Sequence, residues 1–216
     1  GETLFMIFED EKMENKEGIG VPIQSSEVTE KLEKVFRETY LEVLKEEEID
    51  VEEKLKEQLK KLGLDVHFVD SDSIHYFNAP GYPRAYNYYN CFDYFAVIDK
   101  KNEVLYEVTV VYKELQRPTE TEYKLEEIDI TKRPLISEEK MPFTAKLVEN
   151  LLKYPLREPW NSQIRKLIYE LAEAEISGNL NEKLKEIKER AKNASWVYEY
   201  SYLLSAITQT EDEVLR

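Results

Sequence analysis

The chain has 216 residues, 42% apolar, 12% aromatic and 35% charged, the composition of an ordered protein able to bury a core in one large domain or two small ones. A single cysteine excludes an internal disulfide, and the longest apolar runs fall far short of the roughly 20 residues a membrane helix needs. The net charge of −15 opposes contact with nucleic-acid backbones and anionic membranes unless a basic cluster intervenes, and no Lys/Arg run supplies one.

In chain order, Thr3 to Phe8 reads as a short strand and Asp10 to Gln24 as a polar loop with Gly18, Gly20 and Pro22. Ser25 or Ser26 can cap a long helix whose apolar positions Val28, Leu32, Val35, Phe36, Tyr40, Val43 and Leu44 repeat at helical spacing. Asp50 with Glu53 forms a capping-box signature for a second helix, with Leu55, Leu59 and Leu62 on its stripe and Gly63 as the stop. Residues 1–60 hold 18 acidic against 9 basic side chains, so the acidity is concentrated there. Glu outnumbers Asp about fourfold and is interleaved with Lys, the pattern of a solvated helix face. The sharper alternative is an acidic mimic that binds a basic, DNA-binding partner.

From Leu64 the apolar period becomes two. Leu64 to Phe68 and Ser73 to Phe77 read as two strands, and Cys91 to Asp99 with Glu103 to Glu114 as a hairpin joined by Lys100, Lys101 and Asn102. Glu120 to Ile130 is a further strand whose phase changes at Glu126 and Glu127, the mark of a bulge. A linker from Thr131 to Pro142 follows. Helices are then expected over Ala145 to Tyr154, from Pro159 to a stop at Gly178, over Leu180 to Lys192, and over Trp196 to Ile207 after a Ser195 cap. The last is apolar or aromatic around most of its circumference and so reads as the central buried helix. The fold class is α+β: a helical hairpin with an antiparallel meander over 1–133, and a helical domain or subdomain over 134–216.

Tyr76 to Phe95 is the most distinctive segment. Nine of its twenty residues are Tyr or Phe, and two Pro and a Gly interrupt it. Tyr82, Arg84, Tyr86, Tyr88 and Tyr89 combine stiff contact area with one cation able to stack or grip an anion, the composition of a recognition loop. The structural alternative packs alternate rings into the core.

A catalytic alternative rests on the hairpin. A three-residue loop places Asp99 opposite Glu103, which puts Asp93, Glu107, Thr109 and Lys113 on one face, with Asp93 and Glu107 as diagonal neighbours able to ligate Mg²⁺ or Mn²⁺. Over about twenty residues this resembles the restriction-endonuclease-like nucleases, in which an Asp on one strand and Glu-x-Lys on the next hold a metal and a catalytic Lys. The resemblance implies a metal-dependent hydrolase with Asp93, Glu107 and Lys113 in the site. It departs from that family at Thr109, which stands where the Lys belongs, and in having a strand where the family has a helix.

His67 and His75, expected on adjacent strands with Asp70 and Asp72 between them, form a second candidate metal group. Cys91 has no CxxC partner and reads as a buried thiol. There is no Gly-rich phosphate loop and no nucleophile elbow. The leading expectation is a cytoplasmic, non-catalytic binding protein with no cofactor, no membrane segment in the visible chain and no direct nucleic-acid contact. Its partner is another protein or a small ligand. The opening at Gly1 leaves room for a removed leader.

Overall fold

The computed structural model describes residues 25–46, 48–76, 87–116, 119–157 and 160–215. Among them six helices and a four-stranded antiparallel sheet make an α+β fold, the strands falling between two runs of helix in chain order. The described chain divides into two compact units, 25–133 and 134–215. No helix among the described residues is long and apolar enough to cross a membrane.

In the first unit, α1 (Ser25–Val43) and α2 (Val51–Lys60) precede β1 (Asp65–Tyr76), β2 (Asn87–Asp99), β3 (Val104–Gln116) and β4 (Thr121–Pro134), in sheet order 1-2-3-4. Val28, Leu32, Phe36 and Tyr40 are spaced by four along α1 and are all buried, so one face of the helix is committed to the core. Asp50 caps α2, its Oδ1 accepting from the backbone N–H groups of Glu52 and Glu53 at 3.1 and 3.3 Å. At the other end Gly63 adopts φ 75, and Leu64 N–H reaches back to the Leu59 carbonyl, closing a Schellman turn into β1.

The register of β2 against β3 differs by one residue from the sequence expectation. Asp99 pairs with Val104, so the turn holds four residues, 100–103, and Glu103 takes the left-handed conformation at φ 56. The buried Asp99 carboxylate holds this turn by accepting from Asn102 N–H at 3.1 Å and Asn102 Nδ2 at 2.7 Å. Because strand side chains alternate with period two, the shift changes which residues share a face. The face toward α1 carries Cys91, Asp93, Phe95 and Val97 of β2 beside Val104, Tyr106, Val108, Val110 and Tyr112 of β3. Phe95 sits at its centre, edge-on to Phe36 at 5.2 Å and to Phe68 at 5.5 Å.

The two strands expected before the Pro/Gly segment are one. β1 runs twelve residues, with an irregularity between Phe68 and Asp70 where Val69 interrupts the pairing to β2. Beside that bulge, Phe68 N–H donates to Glu52 Oε2 at 3.2 Å, tying the strand to the start of α2. In β4, Tyr123 and Leu125 are half-buried and so are Ile128 and Ile130, with Glu126 and Glu127 exposed between them, so the apolar phase changes there.

The second unit contains α3 (Pro142–Leu151), α4 (Trp160–Ser177), α5 (Leu180–Asn193) and α6 (Tyr198–Val214). Pro142 opens α3, whose first turn is capped from another helix. Glu175 of α4 accepts from Phe143 N–H and Thr144 N–H, both at 2.9 Å, and from Thr144 Oγ1 at 2.7 Å. Gly178 ends α4 at φ 82. α6 differs from expectation at both ends. It starts at Tyr198 with Val197 at the N-cap position rather than Ser195, and it continues past Ile207 to Val214. Thr210 explains the extension: it is fully buried, donates to the Ala206 carbonyl at 2.6 Å and accepts from Asn150 Nδ2 at 3.0 Å.

Candidate functional site

The end of the β1–β2 hairpin nearest the Pro-bounded segment is built from two pairs of stacked rings, one on each face of the sheet. Tyr76 lies opposite Tyr88, their ring centroids 4.9 Å apart and 8° from parallel. One residue along, on the other face, His75 stacks on Tyr89 at 4.4 Å and 13°. Lys113, across from Asn90 on β3, places its ammonium 5.6 Å from the Tyr88 ring. Tyr88 and Tyr89 are half-buried, while Ile74 and Tyr76 are exposed, so the hairpin end shows aromatic surface to solvent. Tyr82, Arg84 and Tyr86 lie outside the described residues.

The other sequence candidates are placed apart. Asp93 pairs with Val110 and Glu107 with Ala96, so the two carboxylates point to opposite faces of the sheet. The arrangement expected for an Mg²⁺ or Mn²⁺ pair depended on a three-residue turn; the fourth turn residue, Glu103, removes it. Glu107 is 3.7 Å from Arg133 of β4, and Lys113, expected on the same face of β3, lies 3.5 Å from Glu126. His67 and His75 share one strand rather than two, roughly 25 Å apart along it. The Val69 bulge also turns them to opposite faces, His67 opposite Ala96 and His75 opposite Tyr89. Among the described residues no group of three His, Cys, Asp or Glu side chains is placed to hold a metal.

Asp93 faces the helices and takes part in a polar contact at the rim of the core. The hydroxyl of the buried Tyr40 donates to its Oδ2 at 2.5 Å. Burial raises the Asp93 pKa, and the Tyr40 hydrogen bond opposes that shift without cancelling it. Burial and the neighbouring Asp93 charge both raise the Tyr40 phenol, and the same two causes lead for Tyr112, whose ring lies 6.0 Å from that of Tyr40. The buried Cys91 thiol is pushed up by desolvation, then by Glu114 and Asp93. A thiol held protonated is a poor nucleophile. The cluster therefore suits a structural role better than a catalytic one.

The second unit carries a surface that sequence reasoning missed. Trp196 is 77% exposed and Tyr198 66%, although the sequence marks the final helix as the central buried one. Tyr198 stacks on Tyr202 at 6.5 Å, and Tyr202 on Tyr154 at 4.9 Å. Trp160 meets Trp196 and Tyr200 edge-on, each at 6.1 Å. Arg157 donates through Nε to Glu199 Oε1 at 2.8 Å and lies 6.0 Å from the Tyr198 ring. The available signal was the helix's all-round apolarity itself: Tyr200, Leu203, Ala206 and Ile207 fill its buried side, and Tyr198 is left facing out.

Comparison with known proteins finds no family model, curated protein or solved structure that matches this chain.

Proposed function

We propose that this chain is a non-catalytic binding protein that contacts another protein or a small ligand through the Tyr-rich end of its β1–β2 hairpin. The paired ring stacks carry this reading: Tyr76 with Tyr88 and His75 with Tyr89 hold aromatic surface rigid on both faces of one hairpin end. Rings already held in place lose little side-chain entropy on binding. In sequence, Tyr82, Arg84 and Tyr86 lie between Tyr76 and Tyr88, and this reading assigns them to the contact surface as well. The acidic α1–α2 surface is a weaker candidate, because part of its charge is paired locally, Glu33 with Arg37, Glu52 with Lys56 and Glu42 with Lys54.

A random peptide library displayed on phage and selected on the intact chain tests the proposal. Enriched peptides are then titrated against wild type and a Tyr82→Ala/Arg84→Ala/Tyr86→Ala variant. Loss of about tenfold or more in affinity in the variant, the scale of aromatic and Arg hot spots, is the expected result. Selection without enrichment, or equal affinity for the two proteins, overturns it.

A further inference from the structure

β1 stands at one end of the strand order, so among the described residues its outer side has no neighbouring strand. In an antiparallel pair alternate residues turn their N–H and C=O groups away from the neighbour. On an edge those groups are a template for a further strand, and exposed β-forming side chains beside them add to the attraction. β1 has both features. Asp70 to Ile74 are all exposed, and Ile74 and Tyr76 are large apolar side chains left in solvent.

The outward N–H groups are nevertheless occupied, one after another. Phe68 N–H donates to Glu52 Oε2 at 3.2 Å, Ser71 N–H to Asp70 Oδ1 at 2.9 Å and Ser73 N–H to Asp72 Oδ1 at 2.8 Å. The register places these three donors in one alternating set. Phe68, Ser71 and Ser73 lie opposite Phe95, Asp93 and Cys91, with Val69 looped out between the first two. Three successive members of the outward set therefore each meet a carboxylate. Glu52 comes from the start of α2, where its Oε1 also binds Lys56 at 2.9 Å, so a helix closes that end of the edge. For Ser71 and Ser73 the acceptor is the residue just before, an Asp whose carboxylate folds back over its own strand.

A strand arriving at this edge has to displace charge-assisted hydrogen bonds and approach two negative charges. A second copy of the chain meets the obstacle twice. Antiparallel pairing of β1 with itself, in the register that sets Ser71 opposite Ser73 of the second copy, brings the two Asp72 side chains directly across from each other. Like charges in that position destabilise a sheet.

We propose that Asp70 and Asp72 are a built-in block on self-association: they hold the Ser71 and Ser73 amides and keep β1 of one copy from pairing with β1 of another. The block is separate from the hairpin-end contact surface and does not depend on that reading.

Sedimentation equilibrium of the intact chain and of Asp70→Ala/Asp72→Ala tests it. The double variant is expected to rise toward twice the wild-type mass as concentration is raised. Glu30→Ala/Glu38→Ala, which removes the same charge from exposed positions on α1, is expected to keep the wild-type mass. Adding Ser73→Pro to the Asp variant deletes one outward donor at an edge position where proline is tolerated, and is expected to restore the wild-type mass. A second measurement needs no proline. Amide exchange at Ser71 and Ser73 of the Asp variant is expected to be faster than wild type in dilute solution and to slow as concentration is raised. Wild-type mass in the Asp variant at every concentration, equal association in the Glu variant, association that survives Ser73→Pro, or exchange at the two amides that ignores concentration overturns the proposal.

Discussion

Tyr40 of α1 and Asp93 of β2 are joined by a 2.5 Å hydrogen bond between the phenol and the carboxylate, which ties the helical layer to the sheet at the rim of the core. Removing the donor in Tyr40→Phe leaves the Asp93 carboxylate under-satisfied in a desolvated place, and a loss of about 1–3 kcal/mol is expected in urea unfolding. Asp93→Asn keeps an acceptor for the phenol and is expected to lose less.

The same pair has a pH signature. Burial raises the Asp93 pKa above the ordinary carboxylate value of 3.8, so the folded state holds the proton more tightly than the unfolded state. Stability contributed by the protonated form is complete below the unfolded value and is lost as pH rises through the raised folded value. Asp93→Asn lacks this loss. Its stability relative to wild type is therefore expected to climb as pH is raised from 3.5 to 7, as followed by urea unfolding at each pH; a flat difference counts against the assignment.

Phe95 meets Phe36, Phe68 and Tyr40 edge-on within one core. Phe95→Ala is expected to destabilise by about 3–5 kcal/mol and Phe95→Leu by much less, because the leucine refills most of the cavity. The pair measured by chemical denaturation separates packing from hydrogen bonding in this region.

Glu175 supplies three hydrogen bonds to the start of α3. Glu175→Ala is expected to cost about 2 kcal/mol and to speed amide exchange at Phe143 and Thr144, with Glu175→Gln intermediate. Exchange unchanged at those two amides contradicts the capping role.

Gly178 stops α4 at φ 82, and a Cβ built there meets nothing within 4 Å. The backbone conformation is then the whole penalty. Gly178→Ala is expected to cost about 1 kcal/mol and Gly178→Asn less, read as a shift in the thermal midpoint.

Since Asp93 and Glu107 face opposite ways, they have no common position for a cation. Calorimetric titration with Mn²⁺ is expected to give the same heats for wild type and Asp93→Ala; saturable binding abolished by that substitution contradicts the register.

Much of the fold was legible in the sequence because its signals are local. The four-residue spacing of Val28, Leu32, Phe36 and Tyr40 marks a helix face whatever the rest of the chain does, and Asp50, Gly63 and Gly178 act on the backbone within a turn of themselves. The alternating runs around Phe95 and Val108 marked strands and even the face that β3 would bury. The candidate site was less legible. A turn closed by a buried Asp99 and a left-handed Glu103 has no pattern to read, since Glu seldom adopts that conformation.

By itself, then, the sequence determined which segments are helix or strand, where several helices stop, and that the chain folds as α+β, all set by interactions within a few residues. Tertiary structure alone decided three things. One turn residue sent Asp93 and Glu107 to opposite faces; the bulge at Val69 did the same to His67 and His75; and packing of α6 through Leu203 and Ile207 left Trp196 and Tyr198 in solvent. In each case the outcome depends on which distant element a residue meets, and a period of two or of 3.6 does not contain that partner.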